Sequence, residues 1–442
     1  MPVPFDRDVV KEIIEAQNID VPTASIREIN HLVNTLETQF STKFIRMEFG
    51  IPGMKVAQIA SNAEGKAVLS GETAHQYAPF DGIPELKNAA SQFAKAFMDL
   101  DIPPSCIVPT IGAMQGCFIA IGLAGHHTPG RDTILCLDPG FPVNKLQAKT
   151  WGLNLVSLDL KDFRGEALAE EVDRLCSMHP IGGCIWSSPN NPSWVILTES
   201  ELEQLAAVLA KHRVFAIEDM AYFGMDFRQD YSKPFQPPYQ PTIARYTDDV
   251  FIIFSSSKLF SYAGQRCGIT FVPPSFAKKQ FPNLAQKFYK PGVLAAFVHG
   301  GIYPTTAGVP QSTQIGLAAL LNATVKGDID PFREVREYER RAIAMKKAFL
   351  DHGFYLVYDS DLGKPLADGF YFTIAYPGMD GGALLQELMH YGISAITLKV
   401  TGSKYTQGLR ACVSMTPQDQ FPDLRARLLQ FQKDHPVDGA KA

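Results

Sequence analysis

A chain of 442 residues exceeds what one ordinary hydrophobic core organises, so two domains are expected. Hydrophobic residues make up 46% and charged residues 20%, the balance of a soluble globular protein, and a net charge of −5 gives no general attraction for nucleic acid or anionic lipid. No apolar run reaches the length of a membrane span, and Met1 to Asp8 lack the basic-then-apolar pattern of a secretion signal. A cytoplasmic protein without nucleic-acid or membrane partners is the expectation. The seven cysteines lie far apart, with no CxxC pair or His/Cys cluster, which disfavours a disulfide framework and a metal site and points to a reducing compartment.

From the N-terminus, residues 7–40 carry a helical period through Ile13, Ile14, Ile26, Ile29, Leu32, Val33 and Leu36, broken by a turn at Asp20-Val21-Pro22. Met47 to Gly53 reads as a short strand turned by glycine and proline, and a glycine such as Gly50 lets a ligand approach the backbone closely. Tyr77 to Lys87 is a loop entering a helix with Leu86, Ala89, Ala90, Phe93 and Phe97 inward. A strand at 107–110 leads through Gly112, Ala113 and Met114 into the apolar helix Cys117 to Leu123. Small residues at such a junction present backbone N–H groups at the positive end of a helix, a ready cradle for phosphate.

Strands then alternate with helices at 133–138, 153–158, 183–187, 213–217 and 250–253, and Thr198 with Glu201 forms a capping box ahead of one helix. This succession predicts right-handed crossovers and an α/β fold with a mainly parallel sheet flanked by helices. In such sheets the ligand lies beyond the carboxyl ends of the strands. Phe141, Asn191, Asp219, Tyr222 and Ser255 to Lys258 all fall just past predicted strand ends. Further on, a charged helix from about Pro331 to Leu350 reads as a solvated face. Strands at 354–358, 369–374 and 409–415, with a helix at 383–391, predict a second, antiparallel sheet in a smaller α+β domain that the N-terminal segment joins. The tail 434–440 looks frayed.

The residues at the strand ends suit one cofactor chemistry. Lys258 follows a buried strand and is an amine able to form an imine, since a desolvated amine near other cations loses its proton readily. Arg266 and Ser255 would hold a phosphate, the guanidinium by its planar fork. On a pyridine ring, Asp219 would pair with the nitrogen, Tyr222 and Asn191 would bond the phenolate oxygen, and Phe141 would stack on the face.

The motifs in order resemble those of the fold type I, class I/II aminotransferases that use pyridoxal 5′-phosphate. Ser255-Ser256-Ser257-Lys258 with Arg266 and Gly268 resembles SxSK…GxRxG, Asp219 to Tyr222 resembles DxxY, and Pro189 to Pro192 resembles NNP(T/S)G. Gly112-Ala113-Met114-Gln115 is similar to the phosphate-cradling loop, and Met47 to Pro52 to the LxxGxP turn. Gly408 to Met415 is similar to the strand whose arginine, here Arg410, binds the substrate α-carboxylate. The resemblance implies Lys258, Asp219 and Tyr222 as catalytic residues. It implies Gly112, Ala113, Met114, Phe141, Asn191, Ser255, Ser257 and Arg266 around the cofactor, with Gly50, Asn191 and Arg410 around an amino acid or 2-oxo acid. It also implies a homodimer in which Tyr77 reaches the neighbouring phosphate. The expected division is an N-terminal segment, 1–57, a large cofactor-binding domain, 58–324, and a small domain, 325–442.

Two departures bear on activity. Ser193-Trp194 replaces the usual Thr-Gly after Pro192, and a lone tryptophan there reads as an outward or core packing residue. Residues 393–399 lack the common Pro-Gly-Ser. Dicarboxylate-specific members take a second arginine from the region equivalent to 299–310, where this chain has neither arginine nor lysine, so a neutral or aromatic amino acid is expected. His299 keeps an acidic substrate open. A C–S lyase or cyclopropane-forming synthase of the same fold is the alternative, because the surroundings choose the fate of the cofactor-stabilised carbanion. A DNA-binding regulator with such a domain is disfavoured by the short, acidic segment ahead of Met47.

Overall fold

The computed structural model describes residues 3–437, and among them two sheets organise the molecule. The larger has seven strands: β1 (Ile107–Ile111), β2 (Thr133–Asp138), β3 (Asn154–Asp159), β4 (Ile181–Ser187), β5 (Phe215–Met220), β6 (Val250–Ser255) and β7 (Cys267–Phe271). They lie in the order β1-β7-β6-β5-β4-β2-β3. Every residue of β2, β4, β5 and β6 is buried, which is why these strands read as continuous apolar runs: helices cover both faces. The edge strand β3 is half open. Strands β2 to β6 pair in parallel, whereas β7 runs antiparallel to both neighbours. Residues 256–266 are too few for the crossover a parallel return needs, so the chain doubles back beside β6.

Two strands extend further than their apolar period suggests. Asp219 lies within β5, paired with Ser187 and Ile253, and Ser255 is the last residue of β6, paired with Gly268. The backbone ladder continues past the point where side chains turn polar, so these groups stand at the strand ends rather than beyond them. Met47 to Gly53 is not a strand. Ile45–Arg46 pairs in parallel with Ile393–Ser394, and after Met47 the chain leaves as a loop toward the site.

The smaller sheet holds β8 (Tyr355–Leu356), β9 (Tyr371–Ala375), β10 (Ile396–Thr397) and β11 (Leu409–Cys412) in the antiparallel order β10-β11-β9-β8. The charged helix divides into Pro331–Glu334 and Arg336–Leu350, and only one side of the latter is solvated. Tyr338, Arg341, Ala342 and Met345 are buried, and Arg341 donates to the Ser414 carbonyl at 2.8 Å. The last helix continues to Asp434, and positions 438–440 of the expected frayed tail lie outside the described residues. Among the described residues no helix is long and apolar enough to cross a membrane.

Part-buried ionic contacts join the two sheets' surroundings. Arg164 pairs with Glu201 at 2.8 Å and Asp361 at 2.6 Å, Arg228 reaches Asp361 at 2.9 Å, and the Tyr358 hydroxyl donates to Asp159 at 2.8 Å. Such pairs fix geometry more than they add stability, because desolvation offsets their attraction. They tie the end of β3, the helix after β4 and the segment after β5 to residues 358–361, between β8 and β9.

Candidate active site

The site begins where β6 ends. Ser255 accepts the Ser257 N–H at 3.3 Å and so caps the single turn Ser256–Leu259, while Ser256 Oγ donates to the Cys267 carbonyl of β7. These bonds carry Lys258 into the cleft, where its Nζ donates to the Gly50 carbonyl and lies 5.0 Å from the Phe370 ring centre. Burial pushes the amine down to about 8, and the cationic Arg410 and Arg266 act in the same direction against the opposing influence of Cys412. An amine of this kind is neutral often enough near neutrality to attack an aldehyde.

An anion cradle adjoins it. Gly112 has φ +64° and donates its N–H to the Arg266 carbonyl at 3.0 Å, and Arg266 is itself left-handed at φ 51°. A methyl group on Gly112 would overlap the Arg266 guanidinium, and one on Gly268 would lie 2.7 Å from the Ala113 nitrogen. Glycine at both places brings the N-terminal turn of helix Gly112–Ala124, the guanidinium and the end of β7 into one cluster of donors. Ala113 and Ser257 are half-buried, whereas Met114 is exposed.

Asp219 is buried and accepts one hydrogen bond, from the Ala221 N–H at 3.0 Å. Burial pushes its carboxyl up to about 7, the Ala221 bond opposing. A buried acid so poorly compensated suits a cationic partner such as a protonated ring nitrogen. Tyr222, two residues past β5, donates its hydroxyl to that of Tyr371 at 2.9 Å. Asn191 is buried in the loop after β4, which Asn190 ties to the end of β2 through a 2.8 Å bond to the Pro139 carbonyl. Phe141, at that same end, opens helix Pro142–Thr150 and is half-buried.

Arg410 comes from the other sheet and is only 1% exposed. It donates to the Glu48 carbonyl at 2.7 Å and weakly to Asn191 Oδ1 at 3.4 Å, and its Nε is buried without a partner. Its guanidinium lies 4.5 Å from the Tyr371 ring centre. A buried guanidinium with an unspent donor suits a carboxylate. The structure therefore draws Lys258, Gly50, Asn191, Asp219, Tyr222, Arg266 and Arg410 together from both sheets. Tyr77 is 98% exposed and stands apart from them in its own chain.

Two residues escaped the motif reading. Tyr371 stands diagonally across from Arg410 on one face of the β9–β11 pair, since Thr373 opposes Arg410 and Tyr371 opposes Cys412. Only that register would have revealed it. Glu48 is fully buried, pairs with Arg46 at 2.8 Å and accepts from Ser394 Oγ, anchoring the carbonyl that receives Arg410. Trp194 packs in the core rather than outward, as one of its two expected places, and there its ring meets Tyr222 edge-on at 5.2 Å.

A lysine one turn past a parallel strand, a buried acid on the adjoining strand and an arginine at the strand reversal thus stand together in a fold of type I. The chain belongs to aminotransferase class I and II, whose family model matches residues 51–355, and its cofactor is pyridoxal 5′-phosphate. It is 24% identical over 297 residues to the aspartate aminotransferase of Pyrococcus horikoshii, covering 66% of this chain and 70% of that one. It is 25% identical over 232 residues to the LL-diaminopimelate aminotransferase of Aquifex aeolicus, covering 51% and 56%. Its fold matches aspartate aminotransferase from Thermus thermophilus with maleate, at a TM-score of 0.71 and 18% identity over 93% of this chain and 96% of that one. YbdL from Escherichia coli, described with a methionine aminotransferase function, matches at a TM-score of 0.74 and 18% identity over 91% and 97%.

Proposed function

We propose that this enzyme moves an amino group between an amino acid with a neutral or aromatic side chain and a 2-oxo acid, in two half-reactions that share one site. The observation that carries the reading is the buried, depressed amine of Lys258 near the Arg410 and Arg266 guanidiniums, one turn past a strand whose neighbour carries the buried Asp219. Bound pyridoxal phosphate would supply an electron sink for the substrate Cα. Arg266, Gly112, Ala113, Ser255 and Ser257 would hold its phosphate, with Asp219 at the ring nitrogen, Asn191 and Tyr222 at the phenolate oxygen and Phe141 at the face. Arg410 grips the substrate carboxylate, with Asn191 and Gly50 beside it, and orients the Cα–H bond. Lys258, once its amine is free, takes the proton from Cα and returns it as general base and acid.

The preference for an uncharged side chain is supported by the absence of arginine and lysine from 299–310 and by the aromatic company of Tyr371, Tyr222 and Trp194. Pairing as a homodimer is supported by Tyr77, Leu69 and Val68, which are 98%, 88% and 55% exposed. The division at 57 and 324 follows the same reading. Single-turnover mixing of the reconstituted enzyme with a panel of amino acids tests it: each productive donor should convert the cofactor to its aminated form, and a 2-oxo acid should reverse the change. Release of ammonia from a thioether amino acid without the aminated form would instead support a lyase.

A further inference from the structure

Trp194 occupies a place that ordinary stability would give to glycine. Its backbone is left-handed, φ 61°, a region costly for a bulky residue. The loop imposes this conformation: the Trp194 N–H bonds the Asn190 carbonyl at 3.0 Å, the Asn190 N–H bonds the Val195 carbonyl at 3.0 Å, and Ser193 Oγ donates to Asn190 Oδ1 at 2.7 Å. The indole is 1% exposed, and its Nε1–H is buried without a partner. A polar N–H left unpaired in the interior is a further cost. Room for the ring exists only because position 369 is glycine, where a methyl group would overlap the indole.

Two local penalties and a reserved notch call for a compensating contact, and the contacts are specific. The indole meets the Tyr222 ring edge-on at 5.2 Å and the Tyr371 ring at 6.1 Å, while those two rings meet each other at 5.5 Å with their hydroxyls 2.9 Å apart. Tyr371 in turn lies under Arg410 and leaves no space for a side chain at Gly50. Aromatic contacts of this edge-on kind fix ring orientation as well as filling volume. We propose that Trp194 is a positioning residue that fixes the Tyr222 and Tyr371 rings against each other, so that with cofactor bound Tyr222 would accept from Tyr371 and turn its own proton toward the phenolate oxygen. This rests on the function proposed above.

The experiment uses full-length protein reconstituted with pyridoxal phosphate and reads the pH midpoint of its visible absorption band, alongside thermal stability. The groups that face Tyr222, namely Tyr371, Arg410 and Cys412, are left unchanged. A hydroxyl donated to the phenolate oxygen favours the deprotonated imine, so losing its alignment raises the midpoint. Trp194→Gly, which also relieves the left-handed strain, is expected to raise it by about one unit, since a hydrogen bond to a charged group carries that order of effect. Gly369→Ala, which pushes the indole from the other side, is expected to shift it in the same direction, and Trp194→Phe to leave it within about 0.3 units. In a Tyr222→Phe background, Trp194→Gly should add nothing further. Lowered thermal stability with an unmoved midpoint in Trp194→Gly and Gly369→Ala would overturn the proposal. So would an equal further shift in the Tyr222→Phe background. If Trp194→Gly does not fold, Gly369→Ala and Trp194→Phe decide between the same outcomes. Wild-type protein that develops no visible band contradicts the proposed function instead, whatever the variants do.

Discussion

Arg410→Gln separates carboxylate binding from every other task of the site. The guanidinium is buried and already gives one Nη hydrogen to the Glu48 carbonyl, while its bond to Asn191 is long at 3.4 Å and its Nε is free. A substrate carboxylate would therefore meet a charge and donors that the protein has not used. Removing one member of a desolvated, hydrogen-bonded ion pair costs about 3–5 kcal/mol. Because one arginine donor stays committed to Glu48, the lower end applies, and kcat/KM for an amino acid should fall roughly 10²- to 10³-fold. The assay is the single-turnover half-reaction, run with an amino acid and with the matching primary amine that lacks the carboxylate. The amine, slow in the wild type, should react with the variant within about threefold of its wild-type rate. An equal loss for both donors would show that Arg410 supports the fold or the cofactor, and an amino acid rate within threefold of wild type would refute the assignment.

Three further outcomes follow from the geometry. Capture of pyridoxal phosphate by the cofactor-free protein should quicken about tenfold per pH unit from 6 toward 8 and then level, because the Lys258 amine titrates near 8; a flat profile in stopped-flow absorbance would count against a depressed amine. Asp219 has its carboxyl raised to about 7, so the stability it contributes without cofactor is complete below the unfolded value near 3.8 and disappears as pH rises through 7. Asp219→Asn should accordingly become more stable relative to cofactor-free wild type between pH 5 and 8, by up to about 3 kcal/mol in denaturant titrations, and should lose turnover at least about 10²-fold, as expected on removing the ring-nitrogen partner. Gly112→Ala drives a methyl group into the Arg266 guanidinium from a left-handed backbone; cofactor affinity should fall about tenfold or more in equilibrium titration, with a stability cost of about 1–3 kcal/mol.

What the sequence made legible follows from local physics. The apolar runs around Ile185, Ile217 and Ile252 announced strands buried on both faces, and the capping box of Thr198 and Glu201 forms as its spacing predicts. The cluster around Lys258 was readable because Ser255, Lys258 and Arg266 are close in sequence. Tyr371 was not, since its role depends on a strand register with Arg410 and a hydroxyl contact to Tyr222 from the other sheet. The core neighbours of Trp194 were hidden for a similar reason: whether the indole turns outward or toward Tyr222 depends on the space left by Gly369. The reversal into β7 likewise depends on the short return through a left-handed Arg266, which periodicity alone does not express.

Borohydride reduction of the cofactor-loaded protein, followed by digestion and mass spectrometry, tests the assignment of the reactive amine most directly. The peptide containing Lys258 should carry the mass of the reduced cofactor, and Lys258→Ala should carry none. Cofactor on another lysine, or undiminished turnover in Lys258→Ala, would contradict the account.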